Sequence, residues 1–275
     1  MVKILRRFRS SGFVLAFATA ILALPGVVRA GPPFETDDPE PVDEGHFEVN
    51  VAALGITGRG ATGAIPGIDA NYGPAPDLQL HLGVQAGYAE APHGGWAVGY
   101  GDTELGVKYR FVEQDPKGWR PDIAFYPNIE LPTGAASKGL GAGHVQLQLP
   151  LWIEEDWGPW SSYGGGGYWY SRGAGDQDFW FAGWLLSRKV TDELMLGGEV
   201  FRQTPTVIGA RANNGFTLGG SYDVTEGGRI LFSGGRGPWR TITGSDTCIT
   251  LAISSNSRSV AGHSSLRAKV VPLAP

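Results

Sequence analysis

One cysteine, Cys248, stands in 275 residues, so the chain closes no internal disulfide in any compartment. Charge is sparse as well. Asp, Glu, Lys and Arg make up 18% of the chain, against roughly 25% in an ordinary soluble protein, while aromatics reach 11%. Such a surface is poorly solvated if all of it meets water. After Leu24 no stretch approaches about 18 consecutive apolar residues, which excludes a membrane-spanning helix. Enzyme signatures are lacking: there is no G-x-S-x-G elbow, no H-E-x-x-H, no phosphate loop and no cysteine pair. His46, His81, His93, His144 and His263 are scattered without ligand spacing, so no catalytic residue, metal or cofactor is expected.

The N-terminus has the form of an export signal. Lys3, Arg6, Arg7 and Arg9 are followed by an apolar run from Gly12 to Leu24, and Val28-Arg29-Ala30 offers small residues for cleavage near Ala30. The run is shorter than the roughly 20 residues of a membrane anchor. Cleavage removes five of the 22 basic residues and none of the 27 acids, leaving a net charge of about −10. Nucleic acid is therefore excluded as a partner. An exported chain without a membrane helix is either a soluble β-protein or a β-barrel inserted in a membrane.

What is present in abundance is alternation. In Gly101 to Phe111, Asp102, Glu104, Lys108 and Arg110 fall on one parity and Leu105, Val107, Tyr109 and Phe111 on the other, which a strand sends to opposite faces. The pattern recurs over His46–Ala53, Asp77–Tyr88, Asp122–Leu131 and His144–Glu154, and less cleanly over Phe179–Leu186, Glu193–Arg202, Gly215–Val224, Arg229–Gly234 and Thr247–Ile253. The cleaner runs approach ten residues, about twice the usual soluble strand and the length that crosses a bilayer when tilted. Pro127 and Pro150 each call for a local bulge, since proline removes a ladder donor. Tight connections (Gly73–Pro76, Glu155–Pro159, Thr191-Asp192, Thr225–Gly228) alternate with longer ones (Thr57–Pro66, Glu90–Val98, Thr133–Ala142, Arg172–Gln177, Thr204–Asn213, Arg236–Asp246), with Glu113–Pro121 a long exception on the tight side. The fold class expected is all-β: a transmembrane antiparallel up-and-down barrel of about twelve strands. Tyr88, Tyr109, Phe111, Trp119, Trp152, Trp157, Trp160, Tyr168, Trp169 and Tyr170 lie near strand ends, where interfacial girdles form.

Several blocks carry a family resemblance: "PFETDDPEPVDEGHFE" (33–48), "YGDTELGVKYRF" (100–111), "PNIELPTG" (127–134), "LPLW" (149–152) and "LFSGGRG" (231–237). Together they resemble the outer-membrane transporter-like proteins named for the meta-pathway of phenol degradation. The resemblance implies a Gram-negative outer-membrane barrel admitting hydrophobic or aromatic compounds. The end of the chain departs from it. Such barrels finish on an aromatic-ended strand, whereas this sequence runs through "SSNSRSVAGHSSLRAKVVPLAP" to Pro275, as if its native frame or terminus were altered after about Gly237.

The organisation expected is a signal peptide (1–30), an acidic periplasmic arm (31–45), a barrel (46–255) and a polar tail (256–275). Charges cost about 2 to 4 kcal/mol each on the lipid side for Lys or Arg, so the polar parity must turn inward. Glu48, Asn50, Gln79, His81, Gln85, Asp102, Glu104, Lys108, Arg110, Asn128, Glu130, His144, Gln146, Gln148, Glu199 and Asp223 are the expected lumen lining. Asp37, Asp38 and Glu40 make the arm either a solvated leader or a gate folded into the lumen. Partners would be outer-membrane lipid and lipopolysaccharide, the barrel assembly machinery and a small solute. Passage of that solute through a narrow lumen is the expected function. A sealed structural or adhesive barrel and an outer-membrane lipid-modifying enzyme are the alternatives.

Overall fold

Alternating segments separated by turns pair with their sequence neighbours, and here they do so all the way round. The computed structural model describes residues 33–57, 62–90, 95–236 and 247–258; the expected signal peptide and most of the polar tail lie outside them. The strands are β1 (His46–Thr57), β2 (Thr62–Ala75), β3 (Leu78–Glu90), β4 (Trp96–Tyr100), β5 (Thr103–Val112), β6 (Asp122–Phe125), β7 (Asn128–Leu131), β8 (Gln146–Trp157), β9 (Trp160–Ser171), β10 (Phe179–Lys189), β11 (Leu194–Gln203), β12 (Asn213–Thr225), β13 (Gly228–Arg236) and β14 (Thr247–Arg258).

β4 and β5 pair with the two ends of β3, and β6 and β7 both lie between β5 and β8. Each couple is thus one spanning strand with an interruption. The sheet is a closed antiparallel barrel of twelve spanning strands, sealed where β1 meets β14 from His46↔Arg258 to Thr57↔Thr247. Among the described residues closure leaves unpaired only the outer edge of short β4, which meets β3 alone, and a ring otherwise paired throughout is the condition for a sheet to sit in lipid.

Burial is inverted relative to a soluble protein. On β5 Tyr109 is 52% exposed, and Leu105, Val107 and Phe111 are exposed with it, while Lys108 is 2% exposed. Leu80, Leu82, Leu147, Leu149, Leu151, Trp180, Trp184, Val200 and Leu218 continue the apolar outer face. An outer surface this apolar is stable against acyl chains and not against water.

Several local expectations change. At Pro127 the strand does break, between β6 and β7, yet Tyr126 N–H bonds to the Pro150 carbonyl and Val107 N–H to the Pro127 carbonyl, so neighbouring ladders bridge the gap. Pro150 makes no bulge: the β8–β9 register runs unshifted through Pro150↔Gly167, since Gly167 presents no Cβ to the ring. β2 also starts earlier than expected, at Thr62 inside the connection read as Thr57–Pro66. The tight connection after it is Pro76-Asp77, with Asp77 at φ 60°, a left-handed conformation that aspartate tolerates in short turns.

Candidate solute pathway

The lumen is not left to water. Residues 33–44, which composition allowed as a solvated leader, enter beside the start of β1 and climb inside the barrel. Gly45 N–H bonds to the Gly73 carbonyl at the rim, and Val42 N–H donates to Gln79 Oε1 at 2.9 Å. Higher up, Lys108 Nζ lies 3.1 Å from Asp37 Oδ1 and 3.6 Å from Asp38 Oδ1 and donates to the Glu40 carbonyl. At the arm's upper end, Glu199 accepts from the backbone N–H groups of Glu35 and Thr36, both at 2.9 Å, and Ser233 Oγ donates to the Pro33 carbonyl. The seat depends on one glycine: a Cβ at Gly183 would overlap Thr36 Oγ1. Every one of these contacts is non-covalent.

The expected lining residues divide by position. Glu48, Asn50, Gln79, Asp102, Lys108, Asn128, Gln146 and Glu199 are buried inside the barrel. His81, Glu104, Gln148, Gln85 and Glu130 line lumen cavities. Arg110 and Asp223 lie instead at the tight-turn rim, where Arg110 clamps Asp77 at 2.7 Å and Asp122 at 3.3 Å, and Asp223 pairs with Arg229. His144 sits at the opposite rim, its Nε2 3.1 Å from Ser171 Oγ and its Nδ1 3.0 Å from the Ala142 carbonyl. Asp102 has a second role: its carboxylate accepts from the N–H groups of Gly134 and Ala142 and so ties down the connection between β7 and β8. A similar anchor holds the connection before β10. Asp178 accepts from the Tyr168 hydroxyl, Ser171 N–H and Arg172, which hold its carboxyl down at about 2.

Beside the upper part of the arm two cavities of about 340 and 350 Å³ share Phe34, Glu35, Asp69, His81 and Glu104. The imidazole of His81 stands between two carboxylates, 3.5 Å from Asp69 Oδ1 and 3.5 Å from Glu104 Oε1. A third cavity of about 290 Å³ lies at the long-loop rim against Gln146, Ser171, Gln203 and Asn213.

Sequence reasoning missed the aromatic side of this lumen. Tyr126, Trp152, Phe181 and Phe201 form a buried cluster inside the barrel, with Trp169 packed against it. Trp152 and Trp169, expected in the interfacial girdle, are corrected to the lumen, whereas Tyr109, Phe111, Trp119, Trp157 and Tyr170 do face outward. The signal was available: Tyr126 and Trp152 share the polar parity of their own strands. Asp69 and Asn71 were also missed, because Pro66 and Gly73-Pro74 hide the short alternation of Ile68, Ala70 and Tyr72.

This geometry, apolar outside and polar or aromatic within, is an outer-membrane type of barrel. It superimposes on a crystal structure of an outer membrane channel from Pseudomonas putida F1 with TM-score 0.63 at 13% identity, over 83% of this chain and 100% of that one. The KdgM porin (9% identity) and the NanC porin (7%) each give TM-score 0.51 over 75% of this chain and 98% of theirs. These likenesses are of fold. No protein-family model matches the chain, and no curated sequence does.

Proposed function

We propose that this chain is a Gram-negative outer-membrane channel that passes small solutes, among them hydrophobic or aromatic ones, through a lumen gated by its own N-terminal arm. The observation that carries the reading is the seating of residues 33–44 inside the barrel by reversible contacts, alongside two cavities of solute size. A structural strut needs no removable segment on its axis. In this reading the tight-turn rim faces the periplasm and the long-loop rim the outside, and the chain belongs with the meta-pathway transporter-like family, whose sequence blocks it resembles. Lipid and lipopolysaccharide surround the exposed Leu, Val and Trp side chains, and the barrel assembly machinery inserts it. Liposome swelling tests the function: vesicles carrying the refolded protein swell in small neutral solutes faster than empty ones, and equal rates would leave a sealed barrel.

An enzyme reading has one observation on its side, the contact of Ser171 Oγ with His144 Nε2, with Asp176 Oδ2 3.8 Å from Nδ1. Ser171 N–H is already committed to Asp178 and is unavailable to stabilise an oxyanion. Ester turnover that vanishes in Ser171→Ala would favour this second reading.

A further inference from the structure

The cavity of about 350 Å³ beside the arm has two unlike walls. On one side are the rings of Tyr126, Trp152 and Trp169; on the other, the carboxylates of Glu48, Asp69 and Glu104. We propose that this cavity is a binding subsite for a small ring-bearing organic ammonium ion, taken up on the way through the channel. The inference rests on the channel reading and names the class of solute that the lumen holds best.

The charge balance decides the sign of the ligand. Lys108 is the one lysine or arginine lining the cavity, and its ammonium is matched by Asp37 and Asp38 of the arm. Glu48 bonds to the amide of Asn50. Asp69 and Glu104 have His81 between them as their basic neighbour and form no ion pair with a lysine or arginine among the described residues, while Glu48 shares the longer-range attraction of Lys108 and Arg229. Five carboxylates line the cavity against Lys108 and His81, so an anion entering here meets an excess of like charge, while a cation is attracted from a wall of low dielectric.

The ring wall supplies the second half of the recognition. The protein's own ammonium already uses it: Lys108 Nζ sits 4.9 Å from the centroid of Tyr126. Trp is the best face for a cation, and such contacts strengthen when desolvated. Trp152 is 3% exposed, and its Nε1 has no hydrogen-bond partner among the described residues. A buried indole N–H ordinarily finds an acceptor, so a ligand that also carries a hydroxyl or carbonyl oxygen completes the wall. Ring, ammonium and oxygen together fit the available volume.

The test is calorimetric titration of the refolded full chain in detergent with three ligands of one shape: 2-amino-1-phenylethanol, the neutral 1-phenyl-1-propanol and the anionic mandelate. The ammonium is expected to bind at least about tenfold more tightly than the neutral alcohol, with mandelate weakest; tenfold corresponds to about 1.4 kcal/mol. In Asp69→Asn/Glu104→Gln, checked for folding by heat-modifiable migration, the preference falls below about threefold. Equal affinity for ammonium and alcohol in the unaltered protein overturns the proposal, as does an undiminished preference in the folded double variant. Calorimetry reads binding without passage. A protein that prefers the ammonium yet carries no current in planar bilayers therefore refutes the channel alone, and one that conducts without preference refutes the subsite alone.

Discussion

Lys108 Nζ lies 3.1 Å from Asp37 Oδ1, so a lysine on the barrel wall and an aspartate on the arm, 71 positions apart, neutralise each other inside the lumen. Desolvation of the ammonium is offset by this pair and by Asp38 at 3.6 Å. The contact is thus a clasp whose removal leaves the buried Asp38 and the half-buried Asp37 without their ammonium.

Lys108→Met should release the arm. Breaking one side of a buried ion pair costs about 3–5 kcal/mol, enough to unseat a segment held by a few hydrogen bonds. Limited proteolysis in detergent should then cut within residues 33–44, which should resist cleavage in the unaltered protein, and Lys108→Met/Asp38→Asn should recover part of that resistance. Equal protection in the unaltered protein and Lys108→Met would count against the clasp.

Gly183→Val attacks the same seat without touching a charge. Its Cβ would overlap Thr36 Oγ1, so the arm must move while Lys108 and its carboxylates stay intact. The variant is expected to show longer open dwell times in single-channel records; dwell times equal to the unaltered protein would place the arm elsewhere in solution.

The outer face is tested by Val107→Lys against Gln85→Lys. Val107 faces outward at the middle of β5, where a lysine in lipid costs about 2–4 kcal/mol, whereas Gln85 opens on a lumen cavity and its change should stay within roughly 1 kcal/mol. Urea unfolding from liposomes measures both. Similar costs for the two would contradict the inside-out assignment.

The connection before β10 should be resistant to acid. Asp178 holds its carboxyl at about 2 in the folded protein, below the ordinary aspartate value near 3.9, so its stabilisation is complete above that value and disappears as pH falls through about 2. Protease cleavage at residues 172–178 should stay slow down to pH 3 and become fast at that pH in Asp178→Asn; equally slow cleavage of the variant would show that the anchor is not Asp178.

The barrel was legible because strand length and parity are local quantities. Leu105, Val107, Tyr109 and Phe111 against Glu104 and Lys108 already contained the outward and inward faces of β5. The lumen aromatics were not legible, because parity separates two faces without saying which apolar residue belongs to lipid. On β10 both faces are apolar, with Phe179, Phe181 and Leu185 inside and Trp180, Trp184 and Leu186 outside, and only the ladder to β9 and β11 assigns them. The arm's seat was equally hidden. "ETDDPEP" has the composition of a disordered leader, and its order comes from Lys108, Glu199, Gln79 and Gly183, partners far away in sequence.

Planar-bilayer conductance of the unaltered chain beside a form lacking Thr36 to Glu44 tests the central claim most directly. A narrow pore closed by its own arm should conduct in brief, small openings, and the deletion should convert these into a sustained conductance at least several times larger. Conductance that is the same in both, or absent from both, would contradict a channel gated by this arm.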